Sequence, residues 1–142
     1  MSTEEKQNSP TYQDSNSVEY PQNEREVSSF IKKFYKSNIP VELISLGTKK
    51  KIGKPLQCAK TLNLSKLSGI IEYLPEELYI KVKSGTPINQ IEEKLKKNKQ
   101  QLAFEPIDFG YLLNVKSDYG TSAGQVACNI SGPRRFKSGG VR

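Results

Sequence analysis

Residues 120–142 read GTSAGQVACNISGPRRFKSGGVR and hold five of the ten glycines of the chain, among small side chains and one adjacent pair of arginines. Glycine tolerates positive φ and lets another group approach the backbone, so this density predicts a segment shaped around a ligand, not a strand or helix interior. The segment stands at the end of a 142-residue sequence. The residues before it have to say what it completes.

Working backward, the spacing of apolar residues alternates between helix and strand. Leu102 to Phe104 is compatible with a strand before Pro106. Ile88, Ile91 and Leu95 form one apolar stripe of a helix, with Thr86 as its cap and Pro87 at its first position, where a missing N–H costs nothing. Glu92 with Lys96 and Glu93 with Lys97 are favourable pairs one turn apart, so the lysine run that follows reads as the solvated end of that helix. Ile70–Leu74 and Leu78–Lys83, joined by Pro75-Glu76-Glu77, predict an antiparallel hairpin with Leu78, Ile80 and Val82 on one face. Thr61–Leu64 and Val41–Ser45 predict two further short strands. Val27, Phe30, Ile31, Phe34 and Tyr35 recur at helical spacing after Asn23 and Glu26, a capping-box pair, predicting a helix over 23–37 that ends before Pro40. This order predicts an α+β or α/β domain with crossover connections.

Composition narrows the chemistry. Hydrophobic residues make up 35% of the chain and mean hydropathy is −0.63, and part of that deficit lies in the polar, aperiodic N-terminus. Residues 1–18 are expected to be a disordered tail and 19–142 the folded domain. Net charge is +7, and residues 1–26 carry two basic and six acidic side chains, net −4, which leaves +11 on the rest. A basic body suits an anionic partner, be it nucleic acid, a phosphorylated cofactor or an acidic substrate.

The chain has no histidine, which excludes within it a Ser-His-Asp or Cys-His triad, His-based zinc sites and a histidyl flavin link. Cys58 and Cys128 lack the spacing of a metal or cluster site and read as two reduced thiols, which with the absence of a signal-peptide pattern or a ~20-residue apolar run predicts a cytoplasmic protein without a transmembrane segment. No catalytic residue and no metal ligand set is assigned. Ser45 to Pro55 joins a strand end to a Gly-Thr-Lys turn, a pattern able to cradle a phosphate. It is not a Walker A loop, because five residues separate Gly47 from Gly53 and Pro55 follows Lys54.

Residues Leu62 to Gly110, with the blocks SGIIEYLPEEL, SGTP and FEPIDFG, followed by NISGPRR in the glycine segment, closely resemble the FAD-binding subunits of bacterial glycolate oxidases. These belong to the vanillyl-alcohol-oxidase, or PCMH-type, FAD-binding flavoproteins, and the likeness extends from about Glu19 to Arg142. The resemblance implies an α+β PCMH-type FAD-binding domain: a first subdomain plus the truncated start of a second, with FAD, held non-covalently, between them. It implies 2-hydroxy-acid oxidoreductase chemistry, and as partners a second flavin subunit and an iron–sulfur subunit.

Residue by residue, the family's first phosphate loop, usually Gly-Gly-Gly-Thr-Lys, falls on Ser45 to Lys49, so Gly47, Thr48 and Lys49 become expected diphosphate contacts. Leu46 stands where the family has glycine, and a Cβ at a position needing positive φ is expected to cost on the order of 1 kcal/mol of FAD binding. The second cofactor segment matches at Gly120, Thr121, Gly124, Asn129, Ser131, Gly132, Gly139 and Arg142, with Gln125 in place of a glycine. Both loops are expected to offer backbone N–H groups to the diphosphate, and Cys128 is expected to be a small buried side chain. The family's substrate domain has no counterpart here, so the chain reads as an N-terminal piece, a split or degraded product without independent catalysis. The alternative is a non-enzymatic remnant or small basic anion-binding protein, with Lys49–Lys51 and Arg134–Lys137 as its contacts; nucleic acid is disfavoured, since no aromatic residue besides Phe136 is interleaved with the basic runs.

Overall fold

The computed structural model describes residues 17–54, 56–114 and 119–141. Two small sheets and several short helices make up this part. Strand β1 (Ser17–Glu19) leads into helix α1 (Glu24–Lys36), then strands β2 (Val41–Ile44) and β3 (Lys60–Asn63). Strands β4 (Ile70–Leu74) and β5 (Tyr79–Val82) follow, then helix α2 (Ile88–Lys96) and three short helices, α3 (Gly110–Leu113), α4 (Ser122–Cys128) and α5 (Arg135–Ser138).

The first sheet is parallel throughout, in the order β1-β3-β2. Parallel neighbours need a crossover, commonly a helix. Here β2 reaches β3 with no helix among the described residues between them, so a long loop leaves the carboxyl end of β2. Ser17 and Val18, at the boundary of the polar tail expected from the sequence, are in β1, paired with Lys60 and Thr61. The remainder of that tail lies outside the described residues.

Helix α1 is capped as its sequence predicts, but with a shifted return bond. The Asn23 side chain accepts from the Glu26 amide at 3.0 Å, while the Glu26 carboxylate accepts from the Gln22 backbone amide at 2.7 Å and the Asn23 side-chain amide at 2.9 Å instead of from the Asn23 backbone amide. Phe34 is buried and packs against Phe30 with ring centroids 6.1 Å apart, but Tyr35 at the edge of the same stripe is 82% exposed. Phe34, Leu62 and Leu67 are the buried apolar residues outside α2.

The hairpin forms as β4 and β5 with a register shift between Ile70 and Glu72. Leu78, expected on its inner face, instead takes φ 53° in the turn and is 83% exposed. Ile80 and Val82 do face inward, and with Tyr73 and Leu102 they pack on Ile88, Ile91 and Leu95 of α2.

Two expectations around α2 are corrected. Thr86 is not its N-cap: that position is Pro87, and the fully buried Thr86 hydroxyl accepts from the Gly69 amide at 3.0 Å and donates to the Lys83 carbonyl at 2.7 Å, closing the base of the hairpin. Leu102 to Phe104 forms no strand. With no strand beside it the segment spends its polar groups elsewhere, the Glu105 amide donating to the Ser131 carbonyl at 3.1 Å.

Candidate cofactor site

At the carboxyl ends of β2 and β3, the loop after β2 meets the front of the glycine segment across a cleft of about 480 Å³. Gly47, Thr48 and Lys49 line it from one side, Thr121 and Gly124 from the other. Gly120 sits where the two loops touch. Its φ is +79°, and a β-carbon there would lie 2.7 Å from Thr48 Oγ1 and 3.2 Å from Lys49 Nζ. Only glycine lets the two loops come this close without displacement.

The contact is reinforced at Tyr119, whose carbonyl accepts from Lys49 Nζ at 3.3 Å and also from the Gln125 amide. Gln125 is completely buried, and its Nε2 also reaches the Ile107 carbonyl at 3.3 Å. The side chain that replaces a family glycine thus holds the chain just before Gly120. Its Oε1 is buried with no hydrogen-bond partner among the described residues.

In the first loop Gly47 takes φ +68°, and the Lys50 amide returns to the Gly47 carbonyl at 3.0 Å. The Gly47 and Thr48 amides have no acceptor among the described residues. Leu46 lines the cleft and is 45% exposed, but its φ is not positive. The left-handed residue of this loop is Gly47, so the backbone cost expected for Leu46 does not arise and only its bulk remains.

The other expected contacts fall away from the cleft. Asn129 is the left-handed C-cap of α4, with φ 48°. Ser131 is buried, its hydroxyl accepting from the Val141 amide at 2.8 Å. Gly132 passes over Glu105, which leaves room for no β-carbon: one would lie 2.6 Å from Glu105 Oε2. That oxygen accepts from the Arg134 amide at 3.0 Å, and Arg134 Nε pairs with Oε1 at 3.4 Å. Glu105 therefore links the FEP and SGPRR blocks. Gly139 takes φ +82° in open space, and Arg142 lies outside the described residues. Gly124 lies inside α4, against the expectation that the segment avoids helix interiors.

Three residues of the cleft had no place in the motif. Glu42 of β2 lines it and pairs with Lys50 at 3.1 Å; Lys54 lines it as well. Cys128, expected buried, is exposed and lines the cleft, because it follows Gly124 by one turn of α4. Alternation along β2 could have placed Glu42 beside Thr61; nothing in the spacing reveals Lys54. Leu43, Ile44, Leu46, Ile52, Leu56 and Leu64 make the remaining wall apolar. Open amides at Gly47 and Thr48, with lysines beside an apolar wall, suit a ligand that joins phosphate to a flat ring system.

Residues 16–142 match the FAD binding domain family. The chain belongs to that family. The fold agrees with the α+β FAD-binding domain expected from the sequence, and FAD is the cofactor the family implies; the paired loops and open amides fit its diphosphate and the apolar wall its ring. A relative within the family is the glycolate oxidase subunit GlcE of Escherichia coli (strain K12), 36% identical over 103 residues, which are 72% of this chain and 27% of that protein. The chain thus spans about a quarter of the curated relative it matches. Among solved structures, two crystal forms of alkyldihydroxyacetonephosphate synthase share the fold of this FAD binding domain. They superpose with TM-scores of 0.61 and 0.64 at 16% and 18% identity, over 87% of this chain and 24% and 22% of theirs. No helix among the described residues is long and apolar enough to cross a membrane.

Proposed function

We propose that this chain supplies the FAD-binding portion of a 2-hydroxy-acid, glycolate-type oxidoreductase subunit, with catalysis completed by parts of the enzyme outside these 142 residues. The observation that carries the reading is the meeting of two loops, 70 residues apart in sequence, at Lys49 and Tyr119. It places Gly47, Thr48 and Thr121 around one cleft. The identity to a glycolate oxidase subunit supports the substrate class.

When bound, FAD supplies the ring that accepts the C2 hydride of a hydroxy acid. The chain's own residues bind and orient: the loop amides hold the diphosphate, Lys49 and Lys54 offset its charge, and the apolar wall excludes water from the ring side. The partners in this reading are a second flavin subunit and an iron–sulfur subunit, and the setting is the cytoplasm, where the two free thiols Cys58 and Cys128 stay reduced.

The basic runs support this reading over a nucleic-acid one, because part of each is engaged by the chain itself. Lys50 is paired with Glu42, Lys51 Nζ donates to the Leu113 carbonyl at 3.4 Å, and Arg134 is held by Glu105. The test is gel filtration of the purified chain after incubation with FAD, reading flavin absorbance in the protein peak. A flavin peak that co-elutes is the expected result; protein eluting without flavin would refute binding by this chain.

A further inference from the structure

We infer that Gln125 is a positioning residue of the cofactor site: the nitrogen of its buried side-chain amide sets where the corner at Tyr119 and Gly120 stands against the first loop. The inference rests on the flavin-binding reading above and deepens it.

Gln125 lies in the middle of α4 and is completely buried. A side-chain amide carries two N–H donors and one acceptor oxygen, and burial asks for a partner at each. Here both bonds run from Nε2, one to the Tyr119 carbonyl and one to the Ile107 carbonyl at 3.3 Å. Turning the amide end over would set Oε1 against those two carbonyls, so the donors fix its orientation. The oxygen is then buried with no hydrogen-bond partner among the described residues. A buried acceptor without a donor is unfavourable, and the glycine usual at this position in the family would bring none. The side chain is held in place by the two stretches of chain that its nitrogen joins.

One of those stretches is the corner that meets the first loop. The Tyr119 carbonyl takes two donors, Gln125 Nε2 from inside the domain and Lys49 Nζ from the first loop at 3.3 Å. The next residue, Gly120, stands against Thr48 and gives its carbonyl to the Ile88 amide at 3.0 Å. Lys49 reaches Tyr119 along a flexible, half-buried side chain, whereas Gln125 reaches it from one that has no freedom left. The buried partner therefore sets the position of the corner, and the lysine follows it. Through Gly120 and Thr48 the same position fixes how far the two sides of the cleft stand apart.

Substitutions that separate the donor from the bulk test this in the full chain. Gln125→Met keeps the length without the donor, Gln125→Gly removes both, and Gln125→Glu keeps the shape but donates only while its carboxyl is protonated. For each, fluorescence titration gives FAD affinity, hydrogen exchange of the Ile88 amide reports the docking of Gly120, and circular dichroism checks the fold. The methionine and glycine variants should bind FAD about tenfold or more weakly and exchange Ile88 faster by a similar factor. In the glutamate variant, burial against two carbonyls holds the carboxyl above its ordinary value of about 4.3. Asp108, which follows Ile107, adds like charge on that side, and Lys49 at the Tyr119 carbonyl opposes the shift. That variant should match the parent near about pH 5 and fall about tenfold behind it near about pH 8, with its fold retained. Parent-like affinity and exchange in the methionine or glycine variant, or a glutamate variant whose affinity relative to the parent does not change with pH, would overturn the inference; if Gln125→Met does not fold, Gln125→Glu decides. A parent chain that binds no FAD sinks the flavin reading alone, and Ile88 exchange still decides whether Gln125 holds the corner.

Discussion

Gly120 and Thr48 stand in contact across the cleft: a β-carbon on Gly120 would lie 2.7 Å from Thr48 Oγ1. The glycine also holds φ +79°, a conformation that L side chains rarely adopt, so Gly120→Ala combines backbone strain with a collision against the loop that lines the site. A cost of about 1–3 kcal/mol is expected, shared between folding and the position of the first loop. Fluorescence titration with FAD should show affinity falling by about tenfold or more, since 1.4 kcal/mol is a factor of ten. Unchanged affinity would mean that the first loop is positioned independently of Gly120.

Leu46 offers a different prediction because its backbone is unstrained. Leu46→Ala should change stability by less than about 0.5 kcal/mol, as for other exposed positions, and should raise FAD affinity by removing bulk from the cleft wall. Equilibrium urea unfolding and a flavin titration check the two halves separately. Weaker FAD binding in the variant would show that the apolar contact Leu46 offers as part of the wall outweighs its bulk.

The Thr86 hydroxyl is fully buried and serves both the Gly69 amide and the Lys83 carbonyl. Thr86→Val keeps the shape and leaves the Gly69 amide without its acceptor, while the Lys83 carbonyl keeps the Thr86 amide and the Ser122 hydroxyl; a loss of about 1–2 kcal/mol is expected. The urea midpoint should fall accordingly, and a midpoint within error of the parent would show that water replaces the hydroxyl.

Glu105 receives the Arg134 amide and pairs with its side chain while Gly132 passes over it. Glu105→Gln keeps one acceptor oxygen and should be tolerated, whereas Glu105→Ala should lower stability by about 1 kcal/mol. The expected signature in proteolysis is faster cleavage after Arg134 and Arg135 in the alanine variant only. Equal cleavage in both variants would separate the turn from Glu105.

Local elements were legible because their signals are local. Asn23, Glu26 and the Val27–Phe34 spacing place α1, and the stripe Ile88, Ile91, Leu95 places the face of α2 that is buried. Readings failed where a distant partner decided the outcome. Thr86 has the residue type of a cap, but the Gly69 amide and Lys83 carbonyl claim its hydroxyl. Leu102 has strand propensity, yet no strand lies beside it and it packs on α2 instead. For the site, the motif singled out Gly47, Thr48, Lys49, Thr121 and Gly124, which the fold gathers around one cleft. Glu42 escaped because it carries no motif, and Lys54, inside the Ser45–Pro55 stretch read as able to cradle a phosphate, was not singled out within it. Cys128 was misread as buried because its glycine-rich surroundings in sequence say nothing of which side of α4 it takes.

The bond from Lys49 to the Tyr119 carbonyl closes a loop of 70 residues. Closing so long a loop costs chain entropy that must be met before the contact gives anything back. Nascent chain that ends before Tyr119 therefore has the first loop without its counterpart, and the hairpin and α2 between them can form from local contacts first. Competence for the cofactor is thus expected to come late, once residue 119 has docked on the first loop.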